Sequence, residues 1–164
     1  MKRDTGHPHL HEEFSRTVEK HKNIIYTVCY MFAEDRETAR DLIQEVLVNI
    51  WTGLEKLRDT DNPGAWIWRV SLNTCISYER KRRRRPETLP MDTVDSLFED
   101  TDEDSKQARM LHERIKKLGI FDRAILLLWL EDLTYREIGE IMGISADNVS
   151  VRLVRIREKM KNMK

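Results

Sequence analysis

Apolar residues in this chain recur at steps of three and four with charged residues between them, the period of amphipathic helices. Phe14, Val18, His21, Ile25, Val28 and Phe32 form one such stripe and predict a first long helix. A wider stripe of Ala39, Leu42, Ile43, Val46, Leu47, Ile50, Leu54 and Leu57 predicts a second helix that starts near Asp35 and packs on two sides. After the polar loop Arg58 to Asp61, Asn62 and Pro63 make an N-cap and first-turn pair. The third helix then runs through Trp66, Trp68, Val70, Leu72, Cys75 and Ile76 into the cationic run Arg80 to Arg85. Pro86 and Pro90 break the period. It resumes with a helix near Ser105 to Leu118 and another from Phe121 to Glu131, with Leu111, Ile115, Ile120, Ala124, Leu127, Leu128 and Leu130 expected in their core. No alternating strand pattern intervenes, so the expected fold is all-α. It consists of two small helical domains, 1–85 and 105–164, joined by an acidic linker, 86–104.

Residues 134–153 carry the clearest local signal, two short helices joined by a three-residue turn and followed by basic residues, the pattern of a helix-turn-helix DNA reader. Thr134 and Glu137 have the spacing of a capping box, Gly143 supplies the left-handed residue that ends the helix, and Ser145 caps the next one. Gly139 keeps the helix crossing close. Val149, Leu153, Ile156 and Met160 give the second helix a buried stripe, which turns Asn148, Val151, Arg152 and Arg155 elsewhere. The plainer alternative is a helical hairpin whose arginines are a solvated face.

Charge changes the picture, because a formal net charge of zero conceals a separation along the chain. Residues 1–85 carry 16 basic against 13 acidic side chains, 86–104 carry eight acids and no base, and 105–164 carry 13 against eight. The segment 86–104 therefore reads as a linker. Its 19 residues would span roughly 60 Å if extended, more than the roughly 35 Å of one DNA turn. Two domains so joined can reach sites over a turn apart. The run Arg80 to Arg85 beside Trp66, Trp68 and Tyr78 suits phosphate contact next to stacking bases, or else is a solvated basic tail. Cys29 and Cys75 lie in apolar helical patterns without CxxC spacing and are expected to be reduced core residues. Neither a long apolar run nor a signal-peptide core is present, so no membrane insertion and a cytoplasmic location are expected.

Asp41-Leu42-Ile43-Gln44-Glu45-Val46 with Trp51, then Trp66-Ile67-Trp68-Arg69-Val70 with Asn73 and the basic helix end, then the terminal helix-turn-helix, together resemble the extracytoplasmic-function (ECF) sigma factors of the sigma-70 family. The resemblance covers residues 10–85 and 106–162, and it rests on the order and spacing of these motifs more than on any one. It implies a factor that binds core RNA polymerase and directs promoter recognition, strand opening and initiation. Asp41, Gln44 and Glu45 would dock on the polymerase clamp helices. Asn62, Arg69, Asn73, Tyr78, Arg80, Arg82 and Arg83 would read the minus-10 promoter DNA, where capture of a flipped base offsets an unstacking cost of a few kcal/mol. The helix from Ala146 to Lys161 would enter the major groove at minus-35. Asn148, Arg152 and Arg155 would contact base edges or adjacent phosphates there and Val151 a thymine methyl, while Thr134, Ser145 and Arg157 would bind phosphates. Many family members carry a basic residue before the asparagine and an acidic one four positions after it; this chain has Leu72 and Ser77.

The acidic linker is expected to mimic nucleic acid near the polymerase template path. The resemblance also implies an anti-sigma factor that docks on exposed apolar surface of both domains, and a monomer when free. The main alternative is a polymerase-independent helix-turn-helix regulator, which predicts a stable dimer and a two-fold site. An enzyme reading rests on His7, His9 and His11 with Glu12 or Glu13 as metal ligands. A flexible N-terminus is the simpler account, and no metal, cofactor or catalytic residue is expected. His21 and His112 are expected to be half-buried helix residues.

Overall fold

The computed structural model describes residues 8–84 and 103–163, and the described residues form eight helices and no strand. They are α1 (Pro8–Phe32), α2 (Arg36–Thr52), α3 (Leu54–Asp59), α4 (Pro63–Arg84), α5 (Glu103–Lys116), α6 (Ile120–Leu130), α7 (Tyr135–Met142) and α8 (Ala146–Asn162). The expectations placed on Arg85 and on linker residues 86–102 lie outside the described residues; Glu103 and Asp104, expected in the linker, open α5. No described helix is long and apolar enough to cross a membrane.

Helices α1, α2 and α4 pack around Ile25, Val28, Phe32, Leu42, Val46, Ile50 and Leu72 of the predicted stripes, together with Ile67, which lay outside them; Trp66, Val70 and Ile76 are half-buried. Asp35 caps α2 by accepting from the Thr38 amide at 2.7 Å, and Asn62 caps α4 by accepting from the Ala65 amide at 3.1 Å. Within this core Cys29 and Cys75 are free thiols, and the hydrogen bond with Cys29 together with burial holds the Cys75 thiol well above its ordinary range. Asn49 on α2 donates to the Thr74 hydroxyl on α4 at 2.9 Å, and that hydroxyl donates to the Val70 carbonyl.

Two expectations about this half are corrected. The second helix is not continuous to Leu57: it stops at Thr52, and the chain resumes as α3 after Gly53. The Trp66 indole occupies the space a Cβ would need at Gly53, 2.7 Å from its position, so a side chain there would collide with the ring. The histidine-bearing segment is not a flexible terminus from Pro8 onward, because it forms the start of α1. His11 stacks on Trp51 with ring centroids 5.0 Å apart, and Phe14 meets the same indole edge-on.

In the second half, α7 and α8 close the helix-turn-helix as the caps predicted. The Thr134 hydroxyl accepts from the Glu137 amide while the Glu137 carboxylate accepts from the Thr134 amide, Gly143 sits at φ 75°, and Ser145 accepts from the Asn148 amide. Gly139 allows the close crossing: a Cβ on it would lie 2.5 Å from the Ile144 carbonyl oxygen. Ile138, Val149, Leu153 and Ile156 pack onto α6. Leu111 and Leu130, expected in the core, are instead exposed, and Ile120 is half-buried. For Ile120 and Leu130 the reason lies in α6, which is buried continuously from Arg123 to Leu128 because it has α7, α8 and α4 as neighbours. A helix enclosed this way does not follow a one-sided stripe.

The two halves touch along α4. Arg69 donates to the Glu140 carbonyl at 2.8 Å, and Leu72, Asn73, Ile76, Ser77 and Arg80 line a groove against Phe121, Ile141 and Met142. A second tie joins α5 to α1, where His112, buried rather than half-buried, donates from Nε2 to the Tyr30 carbonyl at 2.9 Å.

Gly139→Ala is expected to destabilise the protein by about 1–3 kcal/mol, read as a lower urea midpoint, because the opposing atom is backbone and cannot swing away. Acid should loosen the tie at His112. Burial lowers its affinity for a proton, as do Lys116 and Arg123, against the Tyr30 bond and Glu113, so folding favours the neutral ring. That contribution is complete above the ordinary value of 6.5 and is lost as the pH falls below it toward the lower folded value. Going from about pH 7.5 to about 5.5, Tm should fall further in the wild type than in His112→Gln, whose amide keeps a donor for Tyr30. His21, shifted down by burial and Lys20, acts in the same direction in both proteins.

Candidate nucleic-acid interface

Three helix faces carry the residues singled out from the sequence. On α2, Asp41, Gln44 and Glu45 are all exposed and lie on one side, opposite the buried Ala39, Leu42, Val46 and Ile50. Val48, 60% exposed, continues that face. Sequence reasoning passed over it, although it follows Gln44 and Glu45 at the same helical spacing. The face is acidic with an apolar end, a surface suited to a basic, partly apolar partner.

The second face is on α4. Asn62 spends its side-chain carbonyl on the helix cap and retains its amide donors. Arg69, Asn73 and Arg80 are exposed side chains on the face that meets α6 and α7, and Tyr78 is half-buried. Arg82 is already engaged, paired with Glu79 on its own helix and with Glu34 beyond α1; Arg83 lies 3.6 Å from Glu79. Burial works to raise the Glu79 carboxyl, but the Arg82 hydrogen bonds and the surrounding guanidiniums outweigh it and hold it below the usual range. The basic end of α4 is thus an ordered ion-pair network in part, with Arg80 outside it.

The third face is on α8. Asn148, Val151, Arg152 and Arg155 line one groove together with Ile144, Lys159 and Asp122. Four of the expected residues are thereby brought together. Lys159 was missed, although it extends the series Asn148, Arg152 and Arg155 by one more helical step. Asp122 and Phe121 come from α6 and left no trace in the local sequence. Asp122 accepts from Arg152 Nη1 at 3.1 Å and lies 3.8 Å from the Lys159 ammonium. The Arg152 guanidinium also sits 4.7 Å over the Phe121 ring, so both a ring and a carboxylate limit its rotation. Arg157 is on another side of α8, 5.4 Å over the Trp129 ring. The structure therefore does not group it with Arg152. Thr134 and Ser145 use their oxygens to accept cap bonds, which leaves each hydroxyl proton available to a phosphate.

A cluster of this kind is able to bind a polyanion without bond chemistry. Arg152, Arg155 and Lys159 supply charge, and Asn148 supplies a paired donor and acceptor suited to a base edge. Two family models match the chain, sigma-70 region 2 over residues 17–85 and sigma-70 region 4 over residues 108–160. RNA polymerase sigma factor SigV of Bacillus subtilis (strain 168) is 25% identical over 142 residues, covering 86% of this chain and 84% of its own. ECF RNA polymerase sigma factor SigW of the same organism is 24% identical over 174 residues, covering 92% and 88%. Among solved structures, the sigma factor RpoE in complex with the anti-sigma factor NepR from Bartonella quintana has the same fold, with a TM-score of 0.69 at 17% identity over 92% of this chain and 95% of that one.

Proposed function

This chain belongs to the sigma-70 family, as a member of the ECF type, and we propose that it binds core RNA polymerase, recognises promoter DNA and directs strand opening and initiation. Sigma factors are initiation factors rather than enzymes, and the interfaces above call for none of the machinery of bond chemistry. The observation that carries the proposal is the presence, on one chain, of an exposed acidic α2 face, a basic α4 and a clustered reading face on α8. A polymerase-independent regulator needs only the last of these.

In this reading residues 1–85 act as one unit and 105–164 as another, connected by 86–104. Asp41, Gln44 and Glu45, extended by Val48, form the polymerase contact. Asn62, Arg69, Asn73, Tyr78, Arg80, Arg82 and Arg83 serve the minus-10 element. Asn148, Val151, Arg152 and Arg155 read minus-35 bases, with Thr134, Ser145, Arg157 and Lys159 on phosphates. The α4 face that meets the promoter is the one packed on α6 and α7, so engagement of minus-10 DNA through Arg69 and Asn73 requires the halves to part. The protein acts in the cytoplasm, where polymerase and promoters are. An anti-sigma factor is its regulator and is expected to stabilise the halves in a form unable to load onto polymerase.

In-vitro transcription with bacterial core polymerase on a pool of genomic promoter fragments tests the proposal directly. Discrete start sites that depend on this protein are expected; specific duplex binding by the protein alone, without initiation, would favour the conventional regulator. On an identified promoter, Arg152→Ala is expected to weaken binding by about 1–3 kcal/mol and to relax selectivity at one base pair, whereas Lys159→Ala should weaken binding to all sequences and lower the salt slope by about one. Equal loss of selectivity in both variants would remove Arg152 from the base-reading set.

A further inference from the structure

Where the ends of α1, α4 and α5 meet α6, the two halves line a solvent-open pocket of about 130 Å³ against the Phe32 ring. Its polar walls are Glu34, Glu79, Arg82, Arg83, Lys116 and Arg123. Four cations face two carboxylates, and both carboxylates are already shared, Glu79 between Arg82 and Arg83 and Glu34 with Arg82. Neither Lys116 nor Arg123 has a carboxylate partner within ion-pair distance among the described residues. Arg123 is only 2% exposed. One of its Nη atoms donates to the Lys116 carbonyl at 2.8 Å and more weakly to the Leu118 carbonyl, and its guanidinium lies 5.3 Å over Phe32. Its Nε–H is buried with no acceptor.

A buried donor without an acceptor costs about 1–3 kcal/mol, and a buried cation without a counter-charge costs more, so such groups are retained where something outside the chain completes them. Lys116 shows the same deficit: burial, Arg123 and Arg82 make its proton easier to lose, with only Glu34 and Glu79 opposing them. What is lacking is negative charge with several acceptor oxygens. A pocket of this size holds several waters, since about 10–15 Å³ admits one, and therefore has room for a tetrahedral oxyanion.

We propose that this junction binds a single phosphate-type oxyanion, which accepts a hydrogen bond from the Lys116 ammonium and lies against the Arg83 and Arg123 guanidiniums. Arg83 belongs to α4, whereas Lys116 and Arg123 belong to α5 and α6, so the anion ties the first half of the molecule to the second. The site requires neither polymerase nor promoter and stands or falls separately from the initiation role.

The test is titration of the full-length protein with inorganic phosphate at constant ionic strength, balanced with chloride, by calorimetry and by ¹H–¹⁵N spectra that follow the Arg123 Nε–H resonance. Saturable one-to-one binding, a shift of that resonance and a rise in Tm are expected, with affinity at least tenfold weaker in Lys116→Gln and unchanged in the exposed control Lys20→Gln. Lys116→Gln leaves intact the backbone carbonyl that Arg123 uses. A nucleoside diphosphate run in parallel separates the sources: tighter binding than phosphate assigns the site to a terminal phosphoryl group, and weaker or equal binding assigns it to the free ion. Absence of saturation, an equal response to chloride alone, or identical affinity in wild type and Lys116→Gln would overturn the proposal. If Lys116→Gln fails to fold, the wild-type Arg123 resonance decides by itself.

Discussion

Helix α4 has to satisfy two cores at once, and the arrangement of the molecule depends on that constraint. One side buries Ile67, Thr74 and Cys75 against α1 and α2. The other carries Arg69, Asn73, Ile76 and Arg80 to the groove formed with α6 and α7. The first side is mostly apolar and continuous, so its burial is a strong, non-directional stabilisation. The second mixes one charge-assisted bond to a backbone carbonyl with a few apolar side chains, which is the composition of an interface able to open. A helix that folds one half and latches the other cannot be altered on either side without consequence for both.

Polar groups at the seam reinforce this division. His112 reaches across from α5 to the Tyr30 carbonyl, and Arg123 from α6 to Phe32, yet each brings a cost of burial that only a precise partner offsets. Contacts of this kind depend on geometry and fail together when the surfaces shift. By contrast, the crossing of α7 and α8 is set by backbone approaching backbone at Gly139, which tolerates no comparable adjustment. The α7–α8 crossing is therefore fixed more tightly than the attachment of this half to the rest of the protein, a combination suited to the proposed positioning of a preformed surface on DNA.

Much of this was legible in the sequence wherever the determining interaction is local. The capping box at Thr134, the left-handed Gly143, the Ser145 cap and the Asn62–Pro63 start each involve residues within three positions of one another. Asp41, Gln44 and Glu45 emerged on one exposed face because helical spacing alone puts them there. What escaped depends on partners distant in the chain. The Trp66 ring fills the space a side chain at position 53 would need, and Leu130 lies outside the core although α6 is otherwise enclosed by α4, α7 and α8. The clamp on Arg152 comes from a carboxylate 30 positions away. Periodicity gives the faces of each helix but not the number of neighbours it will have.

The seam on α4 has an energetic consequence for the proposed role. A ligand that binds only the parted form has its affinity reduced by the fraction of molecules in that form, so each 1.4 kcal/mol of closure costs about a factor of ten in apparent affinity. Arg69 cannot meet a promoter while it is bonded to the Glu140 carbonyl, and Asn73 faces the same groove. Promoter DNA alone must therefore work against closure, whereas a partner that grips the exposed α2 face and the second half at separate places removes that cost before DNA arrives. Thermodynamic reciprocity makes the converse hold: whatever strengthens the seam weakens both partners by the same factor. In the proposed role, residues at the seam such as His112, Arg123 and Ile141 would affect promoter affinity through closure without contacting DNA.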